Sequence, residues 1–285
     1  MRMTVKRVVA VDWSGAEAES EQRKRIWIAD VWPERDGNVL TLEGGRTREE
    51  VAAWLMREAE RTPGMVVGLD FAFSFPEWFV REEFGCAEVE AFWERVVAEG
   101  ERWMRGGSRW LWGRPGVKQP EELRGDSGLG YRRTDRVEIP GIAKNRPKSP
   151  LQIGGAGAVG TGSLRGIPVL QDLRRAGFCV WPFDRPGLPV VVEIYPRVFT
   201  GDVTKSDAGA RRRELEKLRT GEYGAWLGRG LVERAEARED AFDALFAGLG
   251  MWEHRAEFAG LRRAEDAEEQ VEGRIWAPAS RRPLC

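Results

Sequence analysis

The sequence predicts a mixed α/β sheet, with three antiparallel strands followed by parallel ones and helices on both faces. Three observations carry this. Three strand-like runs, "RVVAVDWS", "KRIWIADVWPE" and "GNVLTLEG", come first and are joined by short polar links, as in a meander. The later strand-like runs alternate with helical patterns, the order that parallel strands and their crossovers require. The first run is apolar almost throughout, as in a strand covered on both faces.

Taken in order, "RVVAVDWS" reads as a buried strand, and "KRIWIADVWPE" as a second with Ile26 and Ile28 alternating against Trp27 and Ala29. "GNVLTLEG" reads as a third. "TREEVAAWLMREAER" reads as a helix capped by Thr47, with Glu50 completing a capping box and Val51, Trp54, Leu55 and Ala59 on one face. Pro63 and Gly64 end it. "MVVGLDFAFSFP" begins as a fourth strand, and "VEAFWERVVAEGERWM" is a helix. Residues 105–163 are rich in Gly, Pro and charge and lack periodicity; so long an irregular stretch is usually functional or mobile. "SLRGIPVLQDLRRAG" is a helix, "FCVWPF" and "LPVVVEIYP" are strands, and "RRRELEKL" and "REDAFDALFAGLGMW" are helices. "GRIWAP" reads as a late edge strand. The expectation is one domain over 1–285 with an irregular insertion at about 105–163.

The bulk numbers exclude several classes. The chain has 285 residues, 42% hydrophobic and 32% charged, enough for a large core. A net charge of -1 gives no overall field for nucleic acid, so any such site must be a local patch. Cys86, Cys179 and Cys285 are far apart and odd in number, which suggests neither a disulfide framework nor a zinc motif. The single histidine, His254 in "MWEHRAEF", reads as a surface residue. A histidine-ligated metal and a Ser-His-Asp triad are therefore disfavoured. Neither a signal peptide nor a membrane-length apolar run is visible, so the expected location is the cytoplasm.

Carboxylates stand where a plain core would not hold them. Asp12 ends the first strand, Asp70 ends the fourth, and Glu193 sits among Val191, Val192 and Ile194. Asp240 and Asp243 share one helix face, continued by Ala244 and Ala247, whose small side chains let the helix lie close to a sheet. If the strands of Asp12 and Asp70 are parallel neighbours, their ends lie at the edge where open α/β sheets bind ligands. Gathered carboxylates repel unless a cation joins them, and without histidine or cysteine the suitable cation is Mg2+ or Mn2+. Two such ions suit in-line attack on a phosphodiester. The bland alternative pairs Asp12 and Asp70 with arginines. For Glu193 the alternative is a buried ion pair, with Arg165 or Arg133 as partner.

The ordered set "VDWSG", "GLDFAFSFP", "VEIYPR" and "EDAFDAL" resembles the DUF429 family, over most of the chain from Val8 to "IWAP". The helix "EDAFDAL" is also similar to the last catalytic helix of RuvC-type resolvases. The resemblance implies a ribonuclease H-like fold and a nuclease acting on nucleic acid through two metal ions. On it, Asp12 matches the first-strand aspartate bridging the metals and Asp70 the acid ending the fourth strand. Asp240 and Asp243 match the acidic pair of the final helix. Glu193 belongs to the family pattern and joins the catalytic set without a settled counterpart in better-known nucleases.

Several residues are candidates for substrate contact. Ser14 and Gly15 let the chain turn away from Asp12, and Ser14 could orient a ligand. Between Tyr131 and Lys148, six basic residues (Arg132, Arg133, Arg136, Lys144, Arg146, Lys148) stand against Asp135 and Glu138. Arg132, Arg133, Lys144 and Lys148 are the expected phosphate contacts. "GAGAVG" spells G-x-G-x-x-G but follows the poor strand "KSPLQI", so it reads as a flexible entry to a helix whose N-terminus could face a phosphate, with Gln152 and Thr161 at the same edge. Trp103, Trp110 and Trp112 are the tryptophans expected at a binding surface. The competing functions are a non-catalytic nucleic-acid-binding or scaffold protein, and an actin-like phosphotransferase, for which a second D-x-S/T-G loop is missing.

Overall fold

The computed structural model describes residues 4–35, 37–124, 128–137, 146–155 and 157–279. Its strands are β1 (Arg7–Asp12), β2 (Trp27–Glu34), β3 (Gly37–Gly44), β4 (Met65–Leu69), β5 (Cys179–Val180) and β6 (Val190–Glu193). They form one sheet in the order β3-β2-β1-β4-β6-β5. The pairs β1–β2 and β2–β3 are antiparallel. The pairs β1–β4, β4–β6 and β5–β6 are parallel. This is the mixed α/β architecture expected from the sequence.

The helices are α1 (Glu19–Arg25), α2 (Arg48–Arg61), α3 (Val89–Arg102), α4 (Arg133–Arg136), α5 (Gly160–Arg175), α6 (Arg197–Thr200), α7 (Ala208–Thr220), α8 (Arg229–Ala237), α9 (Glu239–Glu253) and α10 (Glu269–Glu272). They cover both faces. Val9 and Val11 of β1 join a core with Val51 and Leu55 of α2, Phe92 of α3 and Leu164 of α5. Val8 and Ala10 join a second core with Leu215 of α7, Leu231 of α8 and Leu245 of α9. Successive side chains of a strand point to opposite faces, so a strand with cores on both sides reads as a continuous apolar run.

The Thr47–Glu50 capping box of α2 is present as expected. Helix α9 lies close on the sheet for the reason its small residues suggest. A Cβ on Gly248 would stand 2.8 Å from the Cβ of Ala29, and one on Gly68 would stand 2.6 Å from Met251 Sδ. Among the described residues, no helix is long and apolar enough to cross a membrane.

Elsewhere the structure departs from the sequence reading. The β1–β2 link contains α1, whose ion pairs Glu21–Lys24 and Glu21–Arg25 support a helix with no apolar stripe to reveal it. Helix α8 was also not expected. "FCVWPF" yields only two strand residues, since Pro182 lacks the N–H a ladder needs. "GRIWAP" makes a single parallel bridge, Ile275 to Glu193, in place of a strand. His254 ends α9 with its ring against Glu257, 2.9 Å away, and its side chain is only 12% exposed, so it is not a surface histidine.

Candidate functional site

Asp12 is the last residue of β1, and Asp70 directly follows β4. The Asp70 N–H donates to Val11 O at 3.1 Å, which holds the two strand ends side by side. Parity then sets direction. Val8 and Ala10 face α9, so Asp12 falls on the same side; Val66 faces α9, so Asp70 does too. Helix α9 presents Asp243 to them. These three carboxylates feel one another strongly. Burial, then the charges of Asp243, Asp70 and Asp240, hold the Asp12 carboxyl well above the usual carboxylate range. Burial and Asp243 push Asp70 up to about 8, against the opposing pull of Lys205. Asp243 is raised by burial and eased by Lys205 and Arg197.

Lys205, in the loop between α6 and α7, places its ammonium on Asp243 Oδ2. Among the described residues, the other oxygen, Asp243 Oδ1, is buried without a hydrogen-bond partner. Asp12 is 8% exposed, and among the described residues no hydrogen bond reaches its carboxylate. Buried oxygens left bare are costly, and a hard cation is what they suit. The ligand chemistry and the excess negative charge therefore fit Mg2+ or Mn2+. The arrangement is not a ready coordination shell: among the described residues, no three acidic, histidine or cysteine side chains converge tightly enough to form one.

Asp240 sits one turn before Asp243, but its carboxylate is 3.5 Å from Arg238 and its side chain is 35% exposed. It contributes charge from the periphery. Glu193 is placed differently. It is paired in register with Leu69, so it points to the face opposite Asp12 and Asp70. There Arg132 holds it, with Nη1 donating to Oε2 at 2.8 Å and Nη2 to Oε1 at 2.5 Å. Arg132 also grips Asp135 and the carbonyl of Glu272. The expected alternative, a buried Glu–Arg ion pair, is what forms, with Arg132 rather than Arg165 or Arg133 as partner. Arg132 is 1% exposed, so it is not a phosphate contact at the surface.

A cleft of about 330 Å³ opens at this sheet edge, lined by Asp70, Trp13, Phe71, Tyr195, Arg197, Arg146 and Lys148, with Glu193 and Arg132 in its wall. Trp13 and Phe71 pack with ring centres 5.1 Å apart, and among the described residues the Trp13 indole N–H has no partner. Burial and the nearby Asp70 carboxylate raise the Tyr195 hydroxyl above its ordinary value. Lys148, one of the expected phosphate contacts, lines this cleft. Arg133 is bound to Asp266, Glu268 and Glu269. Lys144 lies outside the described residues. Ser14 Oγ accepts from Ala16 N–H at 3.2 Å, shaping the turn. Gln152 donates to Gly154 O and accepts from Gly160 N–H, and Thr161 donates to Ile153 O, so both tie the loop to the start of α5. Gly15 is needed there because a Cβ would meet Gly162 N at 2.5 Å. Trp103 and Trp110 are core residues, and Trp112 is half-buried.

Sequence reading missed Lys205, Tyr195 and Arg197. The last two belong to "VEIYPR" and could have been found by reading past Glu193 to the end of its strand. Lys205 carries no local signal, since only the tertiary fold brings its loop to α9. Comparisons with family models, with curated proteins and with solved structures find no match to this chain.

Proposed function

We propose that the chain is a divalent-metal-dependent phosphodiester hydrolase acting on nucleic acid in the cytoplasm. One observation carries this reading: Asp12 and Asp70, at the ends of adjacent parallel strands, and Asp243, on the helix packed over them, repel one another beside a cleft lined by cations, and among the described residues Asp243 Oδ1 is buried without a hydrogen-bond partner. Asp12, Asp70 and Asp243 would hold Mg2+ or Mn2+, which would supply Lewis-acid stabilisation of charge on a phosphoryl centre. Lys148 and Arg146 would draw in and orient the phosphate. Trp13 and Phe71, both packed into the core, form an apolar wall of the cleft that limits water. The ion pair between Lys205 and Asp243 supports a second reading, a protein that binds nucleic acid without cleaving it.

Labelled single- and double-stranded DNA and RNA, incubated with the protein and Mg2+ or Mn2+, separate the two. Cleavage that disappears in EDTA and in Asp12→Asn and Asp70→Asn variants of unchanged circular dichroism supports the hydrolase. Binding without cleavage that survives EDTA supports the second reading and overturns the first.

A further inference from the structure

The cluster contains a cation of the protein's own. Lys205 is largely buried, with its side chain 15% exposed, against an Asp243 side chain 9% exposed. Its loop is anchored. Arg211, 6% exposed, donates to the Lys205 carbonyl and, through Nε, to Glu236 O at 2.8 Å, fastening the loop to the end of α8. Lys205 is thus held in place by a second buried side chain, unlike a solvated surface lysine.

Charge then limits what else the site can take. Asp12, Asp70 and Asp243 carry three negative charges when ionised, while Asp240 is answered by Arg238. Lys205 cancels one and leaves the equivalent of a single divalent ion. Arg197, held by the carbonyls of Gly201 and Val203, adds positive charge on the same side and further disfavours a second ion. Among the described residues, Asp243 Oδ1 is buried without a partner, the Asp12 carboxylate beside it accepts no hydrogen bond, and Asp70 faces the cleft. Asp243 Oδ2, which a second ion would need to share, is occupied by the ammonium.

Resting on the metal-dependent reading above, we propose that Lys205 is a built-in counter-cation standing in for one of two metal ions, so that the site takes a single divalent cation. Lys205 is a positioning residue in this account: it holds Asp243 and sets how many ions the carboxylates accept.

The test is calorimetric titration of Mn2+ alone into metal-free wild type, Lys205→Met, Lys205→Arg and Asp12→Asn, each checked by circular dichroism. The expected result is one ion per chain for wild type and Lys205→Arg. Asp12→Asn should bind none, and Lys205→Met should take a second ion, the first binding about tenfold tighter or more because a nearby like charge is gone. Lys205→Gln, which keeps a hydrogen-bond donor, replaces Lys205→Met if that variant fails to fold. Two ions in wild type, or a Lys205→Met variant unchanged in both number and affinity, overturns the counter-cation role and leaves the metal-dependent reading standing. No Mn2+ bound by wild type overturns both.

Discussion

Replacing Arg132 by methionine should destabilise the protein by about 3–5 kcal/mol at neutral pH, because it breaks a buried ion pair from one side. The side chain makes five hydrogen bonds, to Glu193, Asp135 and the carbonyl of Glu272. Its loss strands two carboxylates that are 3% and 2% exposed. Each retains one backbone donor, Phe73 N–H for Glu193 and Arg132 N–H for Asp135. A stranded Glu can escape by taking up a proton. From an ordinary value near 4.3, that costs about 4 kcal/mol at pH 7 and about 1 kcal/mol at pH 5, at 1.36 kcal/mol per unit. The sign follows. Burial already raises the Glu193 carboxyl, and without the guanidinium it rises further. Its folded value then exceeds its unfolded one, so this group's contribution to stability is fully present below about pH 4 and is lost as pH rises through the folded value. The deficit relative to wild type should therefore be largest at pH 7 and small near pH 5. Urea denaturation followed by circular dichroism at both pH values reads it. A melting temperature lower by about 10 °C is expected at pH 7. Adding Glu193→Gln should recover part of the loss. A deficit under about 1 kcal/mol at pH 7, or lost nucleic-acid binding at full stability, would refute a structural role and return Arg132 to the substrate site.

Other outcomes follow from the same geometry. In EDTA, Asp12→Asn should be more stable than wild type by about 1–3 kcal/mol, since it removes a buried carboxylate repelled by Asp243 and Asp70; a less stable variant in thermal melts would mean that Asp12 is a structural anchor. Asp240→Asn should keep Mn2+ affinity within a few-fold while Asp243→Asn loses it, because only Asp243 is buried beside Asp12; equal losses in calorimetry would place both in the site. Gly248→Ala should cost about 1–3 kcal/mol although alanine favours a helix by about 1 kcal/mol, because its Cβ would meet that of Ala29 at 2.8 Å. A raised melting temperature would show that α9 shifts freely on the sheet.

The strands and long helices were legible because both depend on local periodicity. β1 announces a strand covered on both sides, and the box at Thr47 announces α2. The polar helix α1 was not legible, since its ion pairs leave no apolar stripe. Asp12 and Asp70 could be singled out as carboxylates ending apolar strands, and Asp243 as one on an otherwise small and apolar helix face. Their meeting depended on strand neighbours, which sequence suggests only through connection rules.

What remained for the tertiary structure was the pairing of charges. From sequence alone Glu193 looks like a further member of the acidic set, and Arg132 like one of several phosphate contacts. Register places Leu69 opposite Glu193, which turns Glu193 away from Asp12 and Asp70 and toward Arg132. Lys205, far from Asp243 along the chain, arrives beside it through a loop fastened by Arg211. Periodicity and parity act over a few residues, so they suffice to mark which positions are buried. Coulomb pairing acts through space between distant segments, so the partner of each buried charge is decided only when the fold brings those segments together.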